Sequence, residues 1–165
     1  MRHCEEEVKV YISGALTGIE KLAEVRTFYE DIAEVCREFG LVPYIPHRTT
    51  DPIGHPHIDP HSVYLIDKRE ASTSDLVIAY VGIESFGVGI ELEIASECHI
   101  PIVLLHEDEK HLSRIVRGIP SVAAEVSFKD YNDAILQLRK LLQKYGPNKS
   151  SPNADDVLSR KEQGT

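Results

Sequence analysis

One acidic residue draws attention because of the segment that precedes it. Glu91 follows a fully apolar stretch at 76–81 and the small-residue segment Ser85-Phe-Gly-Val-Gly89. Glycine lets a ligand approach the backbone, and the free N–H groups of a helix N-terminus bind anions. We predict that Glu91 lies in the first turn of a helix, whose dipole keeps its carboxylate ionised. Such a carboxylate facing a cleft suits a glycosyl-transfer nucleophile, because the transition state carries oxocarbenium charge. The alternative is an ordinary acidic residue at a helix N-terminus.

Two further features could belong to the same site. Asp67 lies on a predicted helix and could position a sugar or assist a leaving base, or it could be a solvated helix residue. Segment Gly14–Gly18 joins the first strand to the first helix and lacks the Gly-x-Gly-x-x-Gly dinucleotide pattern. It could hold a phosphate or simply form a tight turn.

A histidine-rich stretch between the second strand and the next helix invites a metal hypothesis. His55 and His57 have His-x-His spacing, and His57 and His61 have His-x-x-x-His spacing. Prolines interrupt the stretch, and no cysteine pair or His-Glu-x-x-His pattern accompanies it. We therefore predict no metal and no other cofactor, and a loop that lies over a ligand.

Strand and helix patterns alternate along the chain. The strands are predicted at 8–13, 41–45, 76–81, 101–105 and around Val126 and Phe128, and the helices at 22–39, 60–72, 90–98, 111–116 and 131–145. This alternation predicts a single α/β domain with a doubly wound, mainly parallel five-stranded sheet of the Rossmann or flavodoxin type, with helices on both faces. Ligands bind beyond the carboxyl ends of such strands, so segments 14–18 and 82–89 should lie close together.

The composition is that of one globular domain. The 165 residues are 42% hydrophobic and 27% charged, and the net charge of −9 disfavours nucleic acid or an anionic membrane as a partner. No apolar run approaches the roughly 18 residues of a membrane span. The three cysteines form no Cys-x-x-Cys pair, which indicates a reduced protein of the cytoplasm or the nucleus. We predict a domain at 1–146 and a disordered tail at 147–165, where apolar residues are few.

Four features together resemble one known family. Tyr11-Ile-Ser-Gly14-Ala-Leu-Thr-Gly18 is similar to the family's Tyr-x-x-Gly-Ser-Ile-Arg-Gly, and Ser85-Phe-Gly-Val-Gly-Ile-Glu-Leu to its Ser-Leu-Gly-Val-Gly-Tyr-Glu-Leu. Leu112-Ser-Arg-Ile-Val-Arg-Gly118 is similar to Leu-Ser-Ala-Met-Ile-Arg-Gly, and Asp67 precedes Asp75 by eight residues, as two family aspartates do. Residues 8–145 thus resemble the nucleoside 2-deoxyribosyltransferase superfamily, most closely its 2'-deoxynucleoside 5'-monophosphate N-glycosidase branch.

The resemblance implies an enzyme that hydrolyses the N-glycosidic bond of 2'-deoxyribonucleoside 5'-monophosphates. Glu91 would attack C1' and displace the base. Asp67 would orient the nucleophile or the sugar, or help protonate the base, and Tyr11 would hydrogen-bond near the nucleophile. Water would then resolve the sugar–enzyme ester and release deoxyribose 5-phosphate.

The resemblance also implies the substrate contacts. They are Gly14, Ala15, Thr17, Gly18, His47, Ser85, Gly87, Gly89 and Ser113. His47 would contact the base and Ser85 the 5'-phosphate. Ser113 would reach the same phosphate from the neighbouring subunit, which implies a homodimer.

Three positions depart from the family pattern. Ala15 and Thr17 stand where the family has Ser and Arg, so two polar contacts to a phosphate are missing, although Thr17 could replace part of one. Glu93 stands where the family has Gly, and either turns outward or narrows the pocket. Two alternatives remain open: a deoxyribosyltransferase that passes the sugar to a second base, and a non-catalytic nucleotide-binding module on the same fold.

Overall fold

The sheet is the centre of the fold in the computed structural model, which describes residues 7–145. Its strands are β1 (Lys9–Ser13), β2 (Val42–Tyr44), β3 (Leu76–Tyr80), β4 (Ile102–Glu107) and β5 (Val122–Phe128). They are ordered β2-β1-β3-β4-β5, and every neighbouring pair is parallel. This is the flavodoxin-like strand order, so the predicted α/β fold class is confirmed.

Helices cover both faces of the sheet. They are α1 (Leu22–Glu38), α2 (Pro60–Ser72), α3 (Phe86–Glu97), the single turn α4 (Arg114–Arg117) and α5 (Tyr131–Tyr145), and a 3-10 helix (Pro46–Arg48) follows β2. The apolar residues of α1 and α5 pack against one face, and those of α2 and α3 pack against the other. The predicted tail at 147–165 lies outside the described residues.

Alternate residues of each central strand pack into the hydrophobic layers on opposite faces of the sheet. In β3, Ile78 and Tyr80 pack towards α1 and α5, whereas Val77 and Ala79 pack towards α2 and α3. Because β3 is buried on both faces, its sequence is a continuous apolar run. The layer under α1 is rich in aromatic rings: Phe28 stacks on Tyr131 with 4.2 Å between the ring centroids.

The edge strand β2 is short and has Pro43 at its centre. Val42 donates its N–H to the carbonyl of Val8 on the β1 side at 2.9 Å. Since the N–H groups of successive strand residues point in opposite directions, the nitrogen of Pro43 faces away from the sheet. Proline is tolerated at such a position because no ladder hydrogen bond is lost.

Helix α3 begins four residues earlier than the pattern predicts. Ser85 is its N-cap, and the Ser85 hydroxyl oxygen accepts the N–H of Val88 at 3.4 Å. The predicted helix start at residue 90 is therefore wrong, because the capping serine outweighs the poor helix propensity of the two glycines. Gly87 and Gly89 lie inside the helix, and Glu91 is its sixth residue.

Candidate active site

The carboxyl end of β1 meets the second turn of α3 at Glu91. Ser13, the last residue of β1, is fully buried and donates its hydroxyl to Oε2 of Glu91 at 2.5 Å. Tyr11 lies two residues earlier on the same face of β1, with its hydroxyl beside the same carboxylate. That hydroxyl is buried and makes no well-formed hydrogen bond within residues 7–145.

Burial dominates the electrostatics of Glu91. It raises the pKa of Glu91 to about 7; the charge of Asp67 acts in the same direction, and the hydroxyls of Ser13 and Tyr11 oppose it. The expectation of a fully ionised carboxylate is therefore wrong. Glu91 lies beyond the first helical turn, where the dipole acts most strongly, and desolvation prevails. A carboxyl group with such a pKa exchanges its proton near neutral pH, which is a feature of functional sites.

Tyr11 is held as a neutral phenol beside this carboxyl group. Its ring stacks on Tyr44, with 5.6 Å between the centroids and 21° between the ring planes. Burial raises the pKa of Tyr11 well above its ordinary value, and the negative charges of Glu91 and Asp67 raise it further. The Tyr11 hydroxyl therefore keeps its proton and can donate it to an oxygen in the cleft.

Asp67 is the second carboxylate of this cluster. It lies on α2, whose N-cap Asp59 accepts the backbone N–H groups of His61 and Ser62. Burial raises the pKa of Asp67, and the charge of Glu70 adds to this effect. The electrostatic effect of Asp67 on the pKa of Glu91 places both carboxylates in one cluster.

The segment after β1 is packed against protein rather than open. A Cβ atom at Gly14 would lie 2.3 Å from Cζ of Tyr29, so only glycine fits there. The Tyr29 hydroxyl donates to the carbonyl of Ala15 at 2.9 Å, and Ala15 is buried. Thr17 and Gly18 are exposed, and Gly18 has the left-handed φ of 71° that glycine adopts readily. Thr17 thus offers the hydroxyl of this segment to solvent.

His47 lies in the 3-10 helix after β2 and is held by two contacts. Its Nε2 atom hydrogen-bonds Oε1 of Glu30 at 2.7 Å, and its ring stacks on Tyr29 with 6.2 Å between the centroids. Arg48 forms an ion pair with the same Glu30. The Nδ1 atom of His47 is buried and has no hydrogen-bond partner among the described residues.

The start of α3 leaves room around its glycines. A Cβ atom at Gly89 would meet nothing within 4 Å, and one at Gly87 would meet only Oγ of Ser85, at 3.7 Å. Glu93 is exposed and lies two residues from Glu91, on another side of the helix. Its side chain is therefore turned outward and does not narrow the pocket.

Among the described residues, Ser113 makes no hydrogen bond with the cluster around Glu91. It is exposed and immediately precedes α4, without capping that helix through its side chain. Within the described part of the chain it makes no hydrogen bond to the other predicted site residues. The contribution of Ser113 from a second copy stays a prediction.

Sequence reasoning misses Ser13 and Thr50, which hold the two carboxylates. The sequence does contain a signal for Ser13, because this residue ends the predicted first strand, at the edge where ligands bind in such sheets. Thr50 has none: it lies in a proline-rich loop, 17 residues before the Asp67 carboxylate to which its hydroxyl hydrogen-bonds.

Other candidate features lie away from this cluster. Among residues 7–145, no group of three or more His, Cys, Asp or Glu residues is placed to hold a metal ion. A surface groove between β5 and α5 has a volume of about 700 Å³ and contains none of the predicted site residues. No helix in the described region combines the length and the apolar character needed to cross a membrane.

The comparisons with known proteins concern the fold. No family model and no curated protein matches the sequence. Among solved structures, the chain is similar to the CMP N-glycosidase BcmB of Clostridium botulinum, with 19% identity and a TM-score of 0.63 over 81% of this chain and 99% of that one. It is similar to the solution structure of BlsM, with 22% identity and a TM-score of 0.63 over 88% and 96% of the two chains.

A third solved structure adds a different activity. The 2-deoxyribosyltransferase of Bacillus psychrosaccharolyticus is 18% identical, with a TM-score of 0.58 over 79% of this chain and 96% of that one. At such identities the likeness concerns the fold. The chain therefore shares its fold with structures that include an N-glycosidase and a 2-deoxyribosyltransferase, as the motif resemblance implies.

Proposed function

We propose that this protein is an N-glycosidase that hydrolyses 2'-deoxyribonucleoside 5'-monophosphates, with Glu91 as the nucleophile. The observation that carries the proposal is the cluster in which Glu91 accepts the hydroxyl of Ser13 at 2.5 Å, beside Tyr11 and Asp67. The fold shared with an N-glycosidase and a 2-deoxyribosyltransferase supports the same class of chemistry.

In the first step, the ionised Glu91 carboxylate attacks C1' of the sugar. The bond between C1' and the base nitrogen breaks, and its electron pair leaves with the base. Asp67, whose pKa burial raises, acts as the general acid and donates a proton to the departing base. The hydrogen bond from Ser13 holds the attacking carboxylate in place, and the Tyr11 hydroxyl lies beside it.

In the second step, water attacks C1' of the glycosyl ester. The bond between C1' and the Glu91 oxygen breaks, and Glu91 leaves as a carboxylate. Asp67, now ionised, takes the proton of the water, and deoxyribose 5-phosphate is released. The two carboxyl groups thus return to their starting states after each turnover.

We further propose that the 5'-phosphate is held by Ser85 of one chain and Ser113 of a second copy, and that His47 meets the base. Large exposed apolar side chains flank both serines: Phe86 is 96% exposed and Ile115 is 82% exposed. A homodimer that covers these side chains would remove apolar surface from water, which supports the proposal.

Product analysis tests the chemistry. The protein is incubated with dCMP or dGMP, with and without an added acceptor base. We expect free base and deoxyribose 5-phosphate. A new nucleotide in the presence of acceptor would instead favour the transferase, in which a base takes the place of water. A thermal shift with nucleotide but no base release would show that the protein is a non-catalytic nucleotide-binding module.

The nucleophile assignment is tested by Glu91→Gln, with Glu93→Gln as the matched control. Loss of a covalent nucleophile lowers turnover by about a thousandfold or more. Glu93→Gln removes an exposed acid two residues away and should leave turnover unchanged. Mass spectrometry should detect a 2-deoxyribosyl 5-phosphate adduct on the wild-type chain and none on Glu91→Gln. Near wild-type turnover in Glu91→Gln would overturn the assignment.

The contribution of a second subunit is tested by mixing two defective variants. Glu91→Gln and Ser113→Ala chains are unfolded together and refolded as a mixture. If Ser113 acts in trans, the mixed dimer has one complete site, and activity on a monophosphate rises above that of either parent. If both residues act in one chain, the mixture gains nothing.

A further inference from the structure

We infer that Thr50 is a positioning residue that holds Asp67 in place in both of its protonation states. The inference rests on the proposed function, in which Asp67 gives up a proton and regains it. The Thr50 hydroxyl oxygen lies 3.0 Å from Oδ1 and 3.3 Å from Oδ2 of Asp67. It also lies 3.1 Å from the carbonyl oxygen of Pro46.

One hydroxyl proton with two acceptors gives Thr50 two arrangements. When Asp67 is ionised, the Thr50 hydroxyl donates to the carboxylate. When Asp67 is protonated, its own O–H donates to the Thr50 oxygen, and the Thr50 proton turns to the carbonyl of Pro46. A threonine hydroxyl can donate one proton and accept at its lone pairs, so both arrangements are allowed. Only the hydroxyl rotates, and no heavy atom has to move.

The backbone around Thr50 is fixed well enough for this role. Thr50 is only 4% exposed, and its N–H donates to the carbonyl of Pro46 at 2.8 Å. The next residue, Asp51, is buried and accepts a hydrogen bond from Arg26 of α1 at 2.5 Å and one from the N–H of Gly54 at 2.6 Å. Helix α1 thus anchors the loop that presents Thr50 to Asp67.

The other groups around Asp67 do not replace this donor. The ionisable groups that act on Asp67 or feel its charge are Glu91 of α3, Tyr11 of β1, Tyr44 of β2 and Glu70 of α2 itself. None of these four groups carries a positive charge. The hydrogen bond that stabilises the ionised form of Asp67 therefore comes from Thr50, and it opposes the rise in pKa that burial causes.

The first test follows the Asp67 carboxyl group directly, in protein without substrate. Its carbon-13 resonance, assigned with Asp67→Asn, is titrated in the wild type, in Thr50→Val and in Thr50→Ser. Thr50→Val removes the hydroxyl at nearly constant shape and should raise the titration midpoint by about half a pH unit or more. Thr50→Ser keeps the hydroxyl and should restore the wild-type midpoint. If Thr50→Val does not fold, Thr50→Ala carries the same expectation.

The second test is kinetic. Thr50→Val should lower kcat about tenfold, the size expected for a lost hydrogen bond to a charged group, with little change in KM. Thr50→Ser should recover most of the activity. Thr49→Val is the matched control, because Thr49 is the adjacent threonine and its hydroxyl contacts Tyr44 rather than Asp67. It should leave the Asp67 midpoint unchanged.

Three results would overturn the inference: an unchanged midpoint in Thr50→Val, an equal shift in Thr49→Val, or equal losses in Thr50→Val and Thr50→Ser. Failure of the proposed function is a separate outcome. It would appear as no base release from any nucleotide by the wild type, while the titration without substrate would still decide whether Thr50 holds Asp67.

Discussion

Glycines follow both β1 and β3 at the same edge of the sheet, but they serve different purposes. At Gly14 the space that a Cβ atom would need is filled by the ring of Tyr29. At Gly89, inside α3, the corresponding space is empty to beyond 4 Å. Gly14 is required because a larger residue would overlap the Tyr29 ring, whereas the space beside Gly89 is not filled by any other part of the described chain.

The surroundings of the two sites match this difference. The Tyr29 ring is 1% exposed, and its hydroxyl fixes the carbonyl of Ala15, so the segment after β1 is tied to the core. The start of α3 carries the fully exposed Phe86 and leads to the partly desolvated Glu91. We infer that the segment after β1 is a rigid border of the site, and that a ligand occupies the space beside α3.

The largest expected effect is that of Gly14→Ala. Its new methyl group would overlap the buried Tyr29 ring, and overpacking of this kind lowers the free energy of unfolding by about 3 kcal/mol. Urea unfolding measures the difference from the wild type. A loss of less than about 1 kcal/mol would mean that Tyr29 can move aside, and would break the contrast with Gly89.

A second prediction concerns the pH dependence of stability. Burial raises the pKa of Glu91 from 4.5 to about 7, so the folded protein binds this proton more tightly than the unfolded chain does. The resulting stability is complete below about pH 4.5 and is lost as the pH rises through about 7. Glu91→Gln carries no such charge and should be more stable than the wild type at pH 8, by about 2 kcal/mol.

The control for this prediction is Glu93→Gln, which should follow the wild type at every pH. The advantage of Glu91→Gln should shrink as the pH falls toward 4.5. A constant advantage at all pH values would show that the proton on Glu91 is not its source. Thermal melts across this pH range measure the comparison.

Ser85→Ala should have a smaller effect. It removes the N-cap of α3, and the loss of such a cap lowers the free energy of unfolding by about 1 kcal/mol. If Ser85 also holds a phosphate, KM for a deoxynucleoside monophosphate should rise more than KM for the unphosphorylated nucleoside. Equal changes for both substrates would leave Ser85 with the capping role alone.

Gly89→Ala should change stability least. Alanine favours a helix over glycine by up to about 1 kcal/mol, and nothing blocks its methyl group, so the free energy of unfolding should stay constant or rise slightly. If the empty space belongs to the substrate, kcat/KM should nevertheless fall. Unchanged kcat/KM would show that the substrate does not use this space.

Much of the fold could be predicted because its signals are local. The apolar run of β3 and the helical spacing in α1 each follow from the side chains that the element buries. Parallel strands separated by helices leave few topologies, and these topologies bring the carboxyl ends of β1 and β3 together. The proximity of Asp67 and Glu91 was expected in addition from the motif resemblance.

The details of the site could not be predicted, because they depend on contacts between distant residues. The hydroxyl of Ser13 meets a carboxylate 78 residues away, and that of Thr50 meets one 17 residues away. No periodicity encodes such pairs. The pKa of Glu91 depends on how completely the folded chain excludes water from it. The position of Glu91 near the helix N-terminus alone suggests a lowered pKa, which is the wrong direction.

The proline at the centre of β2 has a consequence for self-association. A sheet grows by strand addition only where an edge offers outward N–H groups in register with an incoming chain. Pro43 removes such a group at the middle of a three-residue edge, so a sixth strand would find no continuous ladder there. We therefore expect the β2 edge to resist amyloid-like strand addition, because the pyrrolidine ring of Pro43 replaces the N–H group that an incoming strand would pair with.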